Sequence, residues 1–198
     1  MKNYLALFLS IFGGVFASPV RVTGDAPWIQ DYLTPVPDFP QPGIVFQWYA
    51  NLLKDPKAFR QAIQMFAERY RDSEITGIVG LDSRGFIFGA ALAYELEVPF
   101  IMVRKPGKLP RSVERIEYSL EYGKNSFEIE VESLFPGDRV VVVDDVLATG
   151  GTARAASELV ERLGAEVVEV ACLIEISALH GRERISHPVY SLIAIEAP

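Results

Sequence analysis

Hydrophobic positions along this chain follow two periods. Val140-Val141-Val142-Val143 is a run with no polar residue to turn toward water. That is the pattern of a strand buried on both faces, found in parallel sheets flanked by helices. Ile75–Gly80, Val98–Val103, Val167–Ile174 and Val189–Ile195 read as further buried strands. Between them the apolar spacing changes to about 3.6. Phe59, Ala62, Ile63, Phe66, Ala67 and Tyr70 fall on one face of a helix that Asp55 caps and Pro56 opens. Gly85–Leu96 reads as a second helix and Ala153–Leu163 as a third, stopped by Gly164. Strand and helix alternate, so the predicted class is α/β, a mainly parallel twisted sheet with helices on both faces.

Two regions interrupt the alternation. Prolines at 35, 37, 40 and 42 predict an extended course from Trp28 to Pro42. This arm leads into a small hood, together residues 28–53, over the carboxyl ends of the strands. Residues from about 105 to 125 carry mixed charge with no sustained period, and Phe127, Ile129 and Val131 then alternate. That segment predicts a flexible loop with a hairpin-like excursion from the sheet, the usual form of an active-site lid.

Composition narrows the classes. A chain of 198 residues with 49% hydrophobic content supports a full core in one domain. Nineteen basic against 26 acidic residues give a formal charge of −7, which disfavours nonspecific nucleic-acid binding. Cys172 stands alone inside an apolar run, so it reads as a small core residue and no disulfide forms within one chain. His180 and His187 share no metal-ligand spacing with each other or with Cys172 and read as surface or structural residues. Residues 1–17 differ from everything after them: Lys2, then an apolar stretch ending Val15-Phe16-Ala17 before Ser18. This is a signal-like extension, too short for a comfortable membrane span. An export signal, an apolar extension that packs on the body and a misplaced start all fit it.

The candidate chemistry follows the valine strand. Asp144-Asp145 close it, and Ala148-Thr149-Gly150-Gly151-Thr152 turn the chain into the third helix. Glycines admit close backbone approach, and free N–H groups at a helix start favour a phosphate. Carboxylates at the carboxyl end of such a strand accept from the hydroxyls of a ribose. A ribose 5-phosphate would satisfy both halves; aspartates that cap a helix or bind magnesium beside a plain turn are the other reading. Gly80 and Gly85 have P-loop spacing, but Phe86 stands where its lysine would be. Arg104-Lys105-Pro106-Gly107-Lys108 places three cations at a Pro-Gly turn, suited to a polyphosphate or to plain solvation.

Val140 to Thr152 resembles the phosphoribosyl-diphosphate signature of the type I phosphoribosyltransferases. Pro37–Phe46, Gly80–Phe86, Arg104–Pro110 and Tyr118–Gly123 are similar, in the same order, to segments of the adenine phosphoribosyltransferase branch. The resemblance covers roughly residues 35 to 198 and implies that 18–198 form a single phosphoribosyltransferase domain of the type I fold. The implied reaction is adenine plus 5-phosphoribosyl 1-diphosphate giving AMP and diphosphate, with Mg2+ carried on the diphosphate and no separate metal-binding residues. Ala148 to Thr152 would hold the 5-phosphate, and Asp144 and Asp145 the ribose hydroxyls. The diphosphate would meet the Asp82-Ser83-Arg84 loop with Arg104, Lys105 and Lys108. Glu121 aligns with the acid/base, Tyr122 lies beside it, and main-chain groups around Val45 and Gln47 would select the base. Gln47-Trp48 departs from the basic or polar residue and aspartate of many relatives. Two alternatives remain: a phosphoribosyltransferase for another purine base, and a regulator that senses phosphoribosyl diphosphate. The resemblance further implies a cytoplasmic homodimer that engages neither nucleic acid nor membrane; export is the alternative if residues 1–17 are a true signal.

Overall fold

The computed structural model describes residues 21–39, 42, 45–120 and 123–196. The signal-like segment 1–17, Glu121 and Tyr122 lie outside them. The central sheet has six strands: β1 (Arg21–Thr23), β4 (Gly77–Leu81), β5 (Phe100–Val103), β8 (Arg139–Leu147), β9 (Glu166–Ile176) and β10 (Val189–Glu196). Their order across the sheet is β1-β10-β9-β8-β4-β5, parallel except for β1, which runs antiparallel along β10. Two antiparallel pairs stand apart from it: β2 (Thr34–Pro37) with β3 (Val45–Trp48), and β6 (Val113–Leu120) with β7 (Gly123–Glu130).

The valine run is the middle of the molecule. All four valines are 0% exposed, and they divide by parity, as a period of two requires. Val141 and Val143 join the core made with helices α2 (Pro56–Tyr70) and α3 (Gly85–Leu96). Val140 and Val142 join the core on the other face, made with α4 (Gly151–Arg162) and with Ile116, Phe127 and Ile129 of the β6–β7 hairpin. Burying each valine contributes about 1.5 kcal/mol, so the strand is anchored from both sides.

Local signals explain the element ends. Asp55 Oδ1 accepts from the backbone N–H groups of Lys57 and Ala58, at 2.9 and 3.3 Å, and Pro56 opens α2. Ala62, Ile63, Phe66, Ala67 and Tyr70 are buried on its core face, with Phe59 packed at the margin. On the far side of the sheet from the strands' carboxyl ends, Glu169 of β9 is clamped by Arg69 through Nε and Nη2, at 2.6 and 2.7 Å, and by the Tyr70 hydroxyl at 2.6 Å. Cys172 is fully buried.

Two expectations change, and the hairpin excursion takes definite form. Pro27–Tyr32 forms a 3-10 helix instead of an extended arm, because Pro27 sits at its start, where proline is tolerated, and Ile29 supplies a buried anchor. Val113–Glu117 is strand, although its residues show no clear period: pairing with β7 supplies the backbone hydrogen bonds, and Ile116 is buried against Phe127, its partner across the ladder. Val131, read as part of the alternating strand, lies in a 3-10 turn after β7 and is 43% exposed.

Candidate active site

The carboxyl ends of β4, β8 and β9 meet beneath the β2–β3 hood and beside the β6–β7 hairpin, and a cavity of about 420 Å3 opens there. It is lined from every side: Val45, Phe46 and Gln47 from β3, Asp82, Ser83 and Arg84 from the loop after β4, and Lys105 from the loop after β5. Tyr118, Asn125 and Phe127 come from the hairpin, Asp144, Asp145, Val146, Ala148 and Thr152 from β8 and the following turn, and Ile176 and Leu179 from the end of β9. Its size lies in the range of small-molecule sites, about 300–1,000 Å3.

The acidic pair is split by the pleat. Strand β8 does not stop at the aspartates but continues to Leu147, so Asp144 and Asp145 still point to opposite faces. Asp145 is buried at 3% exposure. Its Oδ2 accepts from the Tyr49 hydroxyl at 2.8 Å and from Arg84 Nε. Burial pushes the Asp144 carboxyl well above the usual carboxylate range, and the neighbouring charge of Asp145 pushes it the same way. Asp144 Oδ1 also accepts from the Asp145 backbone N–H at 2.9 Å. Burial likewise raises the Tyr118 phenol above its ordinary value.

The loop after β4 is brought in by Gly85. A Cβ there would lie 2.7 Å from the Val143 carbonyl oxygen and 3.0 Å from Asp144 Oδ1, so only glycine lets α3 start against β8. That approach places Arg84 on Asp145. Arg84 also stands over the Phe46 ring, 5.2 Å from its centroid. The Asp82–Ser83 peptide bond is cis. Asp82 Oδ2 accepts from Arg104 Nε at 3.2 Å, and Arg104 Nη1 reaches the Lys108 carbonyl at 3.3 Å.

The turn after β8 is equally constrained. Gly150 has φ +80° and Gly151 begins α4. Thr149 and Gly150 line a smaller cavity of about 60 Å3 that backs onto Cys172, with Asp144, Val146, Ala148 and Thr152 shared between the two.

The residues singled out from the sequence are therefore largely brought together. Asp82, Ser83, Arg84, Asp144, Asp145, Ala148, Thr152, Lys105, Val45 and Gln47 line the main cavity. Thr149, Gly150 and Gly151 form the adjoining turn. Arg104 acts one step back, fastening Asp82, and Lys108 is joined to it through its carbonyl. Sequence reasoning missed Tyr49, Phe46 and the hairpin's Tyr118, Asn125 and Phe127 as cavity residues, along with Val146, Ile176 and Leu179. Phe46 and Val146 stood inside the matched segments; Ile176 and Leu179 carried no signal, because only the end of β9 brings them to the cavity.

An acidic pair split across a parallel strand, a glycine turn into the next helix and a hood above them are the arrangement expected of a phosphoribosyl transferase. The family model for the phosphoribosyl transferase domain matches residues 49–198. Adenine phosphoribosyltransferase 1 of Triticum aestivum is 50% identical over 159 residues, 80% of this chain and 88% of that one. The crystal structure of adenine phosphoribosyltransferase from Thermoanaerobacter pseudethanolicus superposes with a TM-score of 0.82 at 45% identity, covering 84% of this chain and 98% of that one. The enzyme from Saccharomyces cerevisiae, complexed with an imino-altritol bisphosphate and adenine, gives 0.81 at 40% identity, over 84% and 97%. The chain belongs to the adenine phosphoribosyltransferases, a branch of the phosphoribosyl transferase family.

Proposed function

We propose that the cavity joins adenine to the phosphoribosyl group of 5-phosphoribosyl 1-diphosphate, releasing diphosphate and forming AMP for purine salvage. The observation that carries the residue assignments is the meeting, in one cavity, of Asp144 and Asp145, Ala148 and Thr152 of the turn and the Asp82–Arg84 loop beneath Val45–Gln47, with Thr149 and Gly150 on the adjoining cavity. In this reading the turn and the start of α4 hold the 5-phosphate through backbone N–H groups and the threonine hydroxyls. Asp144 and Asp145 accept from the ribose hydroxyls. The base lies among Phe46, Val146, Ile176 and Leu179, read by main-chain groups of Val45 and Gln47.

Leaving of diphosphate from C1 builds positive charge on the ribose ring while N9 of the purine forms the new bond. The protein must therefore hold the sugar in line, balance the departing charge and keep water out. Lys105, Arg84 and Arg104, with Lys108, supply the cations. Glu121 is assigned the proton exchange with the purine, with Tyr122 beside it. Magnesium would enter on the diphosphate, as a hard cation held by substrate phosphates and water, with no residue of the chain assigned to it; Asp145 Oδ2 is already engaged by Tyr49 and Arg84. When bound, the ion supplies charge neutralisation on the diphosphate.

A homodimer is supported by the apolar edge of the molecule. Ile87 and Tyr94 of α3 and Met102 of the edge strand β5 are exposed at 39, 85 and 42%, a patch suited to a second copy. Sedimentation should give twice the mass of one chain. A cytoplasmic location is proposed, with export as the alternative; among the described residues no helix is long and apolar enough to cross a membrane. N-terminal sequencing of native protein decides between them.

The deciding experiment is turnover of adenine with phosphoribosyl diphosphate and magnesium, read as AMP formed, beside hypoxanthine, guanine and xanthine. Formation of AMP alone is expected. Preference for another base would reassign the substrate, and binding of the diphosphate with no turnover of any base would favour a sensor.

A further inference from the structure

Tyr49 stands where the hood ends and α1 (Ala50–Lys54) begins, two residues after the cavity-lining Gln47. It is 2% exposed, its ring tilted against Phe88 of α3 at 5.6 Å between centroids and against Trp48 at 6.3 Å. A buried tyrosine hydroxyl needs a partner. This one donates at 2.8 Å to the carboxylate of Asp145. Packing alone would not require that choice.

The geometry on Asp145 is selective. Tyr49 and Arg84 both reach Oδ2. Both donors converge on one oxygen of a carboxylate that lines the main cavity. Two donors from different elements, one at the foot of the hood and one at the start of α3, fix the carboxylate's rotation about its last bond. Arg84 is held loosely by comparison: its side chain is 45% exposed and is assigned to the diphosphate as well. When that arginine turns to an anionic substrate, Tyr49 is the donor that stays, because its ring is packed on both sides and α1 begins at the next residue.

We propose that Tyr49 is a positioning residue for ribose binding, which sets Asp145 for the sugar hydroxyls and ties the base-contacting strand β3 to the ribose site through one hydrogen bond. The inference rests on the assignment of Asp145 to the ribose of phosphoribosyl diphosphate. Tyr49 touches no reacting atom, so its loss should weaken the hold on the sugar without removing chemistry.

Tyr49→Phe keeps the ring and its packing and deletes only the hydroxyl. Calorimetry of phosphoribosyl diphosphate with magnesium is expected to show about tenfold weaker binding to the variant, the size of one hydrogen bond to a charged group. In turnover, KM for phosphoribosyl diphosphate should rise by the same factor while KM for adenine stays within about twofold, a split that general loosening of the fold would not produce. Asp145→Asn supplies the second arm: if the hydroxyl acts through this carboxylate, adding Tyr49→Phe to Asp145→Asn should cost no further affinity, whereas independent roles would add. Equal affinity of wild type and Tyr49→Phe overturns the proposal. So does a variant whose melting temperature and both KM values shift together, which would make the hydroxyl structural. Failure of the wild type to bind phosphoribosyl diphosphate at all would sink the assignment beneath it and is read directly in the same titration.

Discussion

Gly150 and Gly181 lie backbone to backbone. A Cβ on Gly150 would meet the Gly181 carbonyl oxygen at 2.3 Å, and a Cβ on Gly181 would meet the Ala148 carbonyl oxygen at 2.1 Å. The glycine turn after β8 is thus shaped from behind by the segment that follows β9. That segment is itself held by Arg182, which donates through Nε at 3.0 Å and Nη2 at 2.5 Å to the buried carboxylate of Glu175. Glu175 also accepts from the Ser191 hydroxyl at 3.0 Å.

Gly181→Ala should therefore push the Ala148–Gly150 backbone out of place without touching a ligand. Displacements of about 1 Å at a positioned site cost on the order of 10²-fold in rate, so kcat/KM for phosphoribosyl diphosphate should fall by about that factor. Steady-state kinetics with circular dichroism as a fold check measures it, and unchanged kinetics would mean the two segments are free to part.

Glu121→Gln keeps the size of the side chain and removes its basicity. If it exchanges a proton with the purine, kcat should drop by about 10²- to 10⁴-fold with calorimetric affinities little changed. Near-normal kcat would remove Glu121 from the chemistry.

The Arg69–Glu169–Tyr70 clamp sits at the opposite end of the sheet from the cavity. Arg69→Ala leaves the 5%-exposed Glu169 with the Tyr70 hydroxyl and no cation. With the arginine side chain itself 43% exposed, a loss of about 2 kcal/mol is expected, below the 3–5 kcal/mol of fully buried pairs. Denaturant titration should record it, and both KM values should stay put; a change in KM would show that the two ends of the sheet communicate.

Asp55 gives a pH signature. Backbone N–H groups of Ala58 and Lys57, then the Tyr32 hydroxyl, hold its carboxyl below the usual carboxylate range. A depressed folded-state value means the stabilisation is complete above the unfolded carboxylate's pKa and is lost as pH falls through the folded one. Asp55→Ala should melt lower than wild type near neutrality, and the gap should close as the pH drops below about 4. A gap that persists in acid would assign the effect to helix propensity in place of the charged cap.

Much of this molecule could be read from the chain itself, and the exceptions share a cause. The four valines, the capped helix from Pro56 and the glycine turn after β8 each carry their signal within a dozen residues, where period and capping chemistry act. Tyr49 carries no local signal, and its hydrogen bond exists only because the fold brings Asp145 to its hydroxyl from 96 positions away. Leu179 and Ile176 reach the cavity for the same kind of reason: β9 must be laid beside β8 before its end has any address. Pro27–Tyr32 escaped in the opposite sense, since Pro35 and Pro37 marked extended chain over Thr34–Pro37 and the 3-10 turn before them was fixed by the burial of Ile29.

Cys172 lies under the glycine turn after β8, fully buried, and burial pushes its thiol well above the ordinary range. No second cysteine exists in the chain for it to join. A protonated thiol out of reach of oxidant or reductant makes the folded body indifferent to the glutathione poise around it. The same catalytic body would keep its covalent state in a reducing cytoplasm and in an oxidising lumen, so moving it across a membrane would change its neighbours and leave its own bonds as they were.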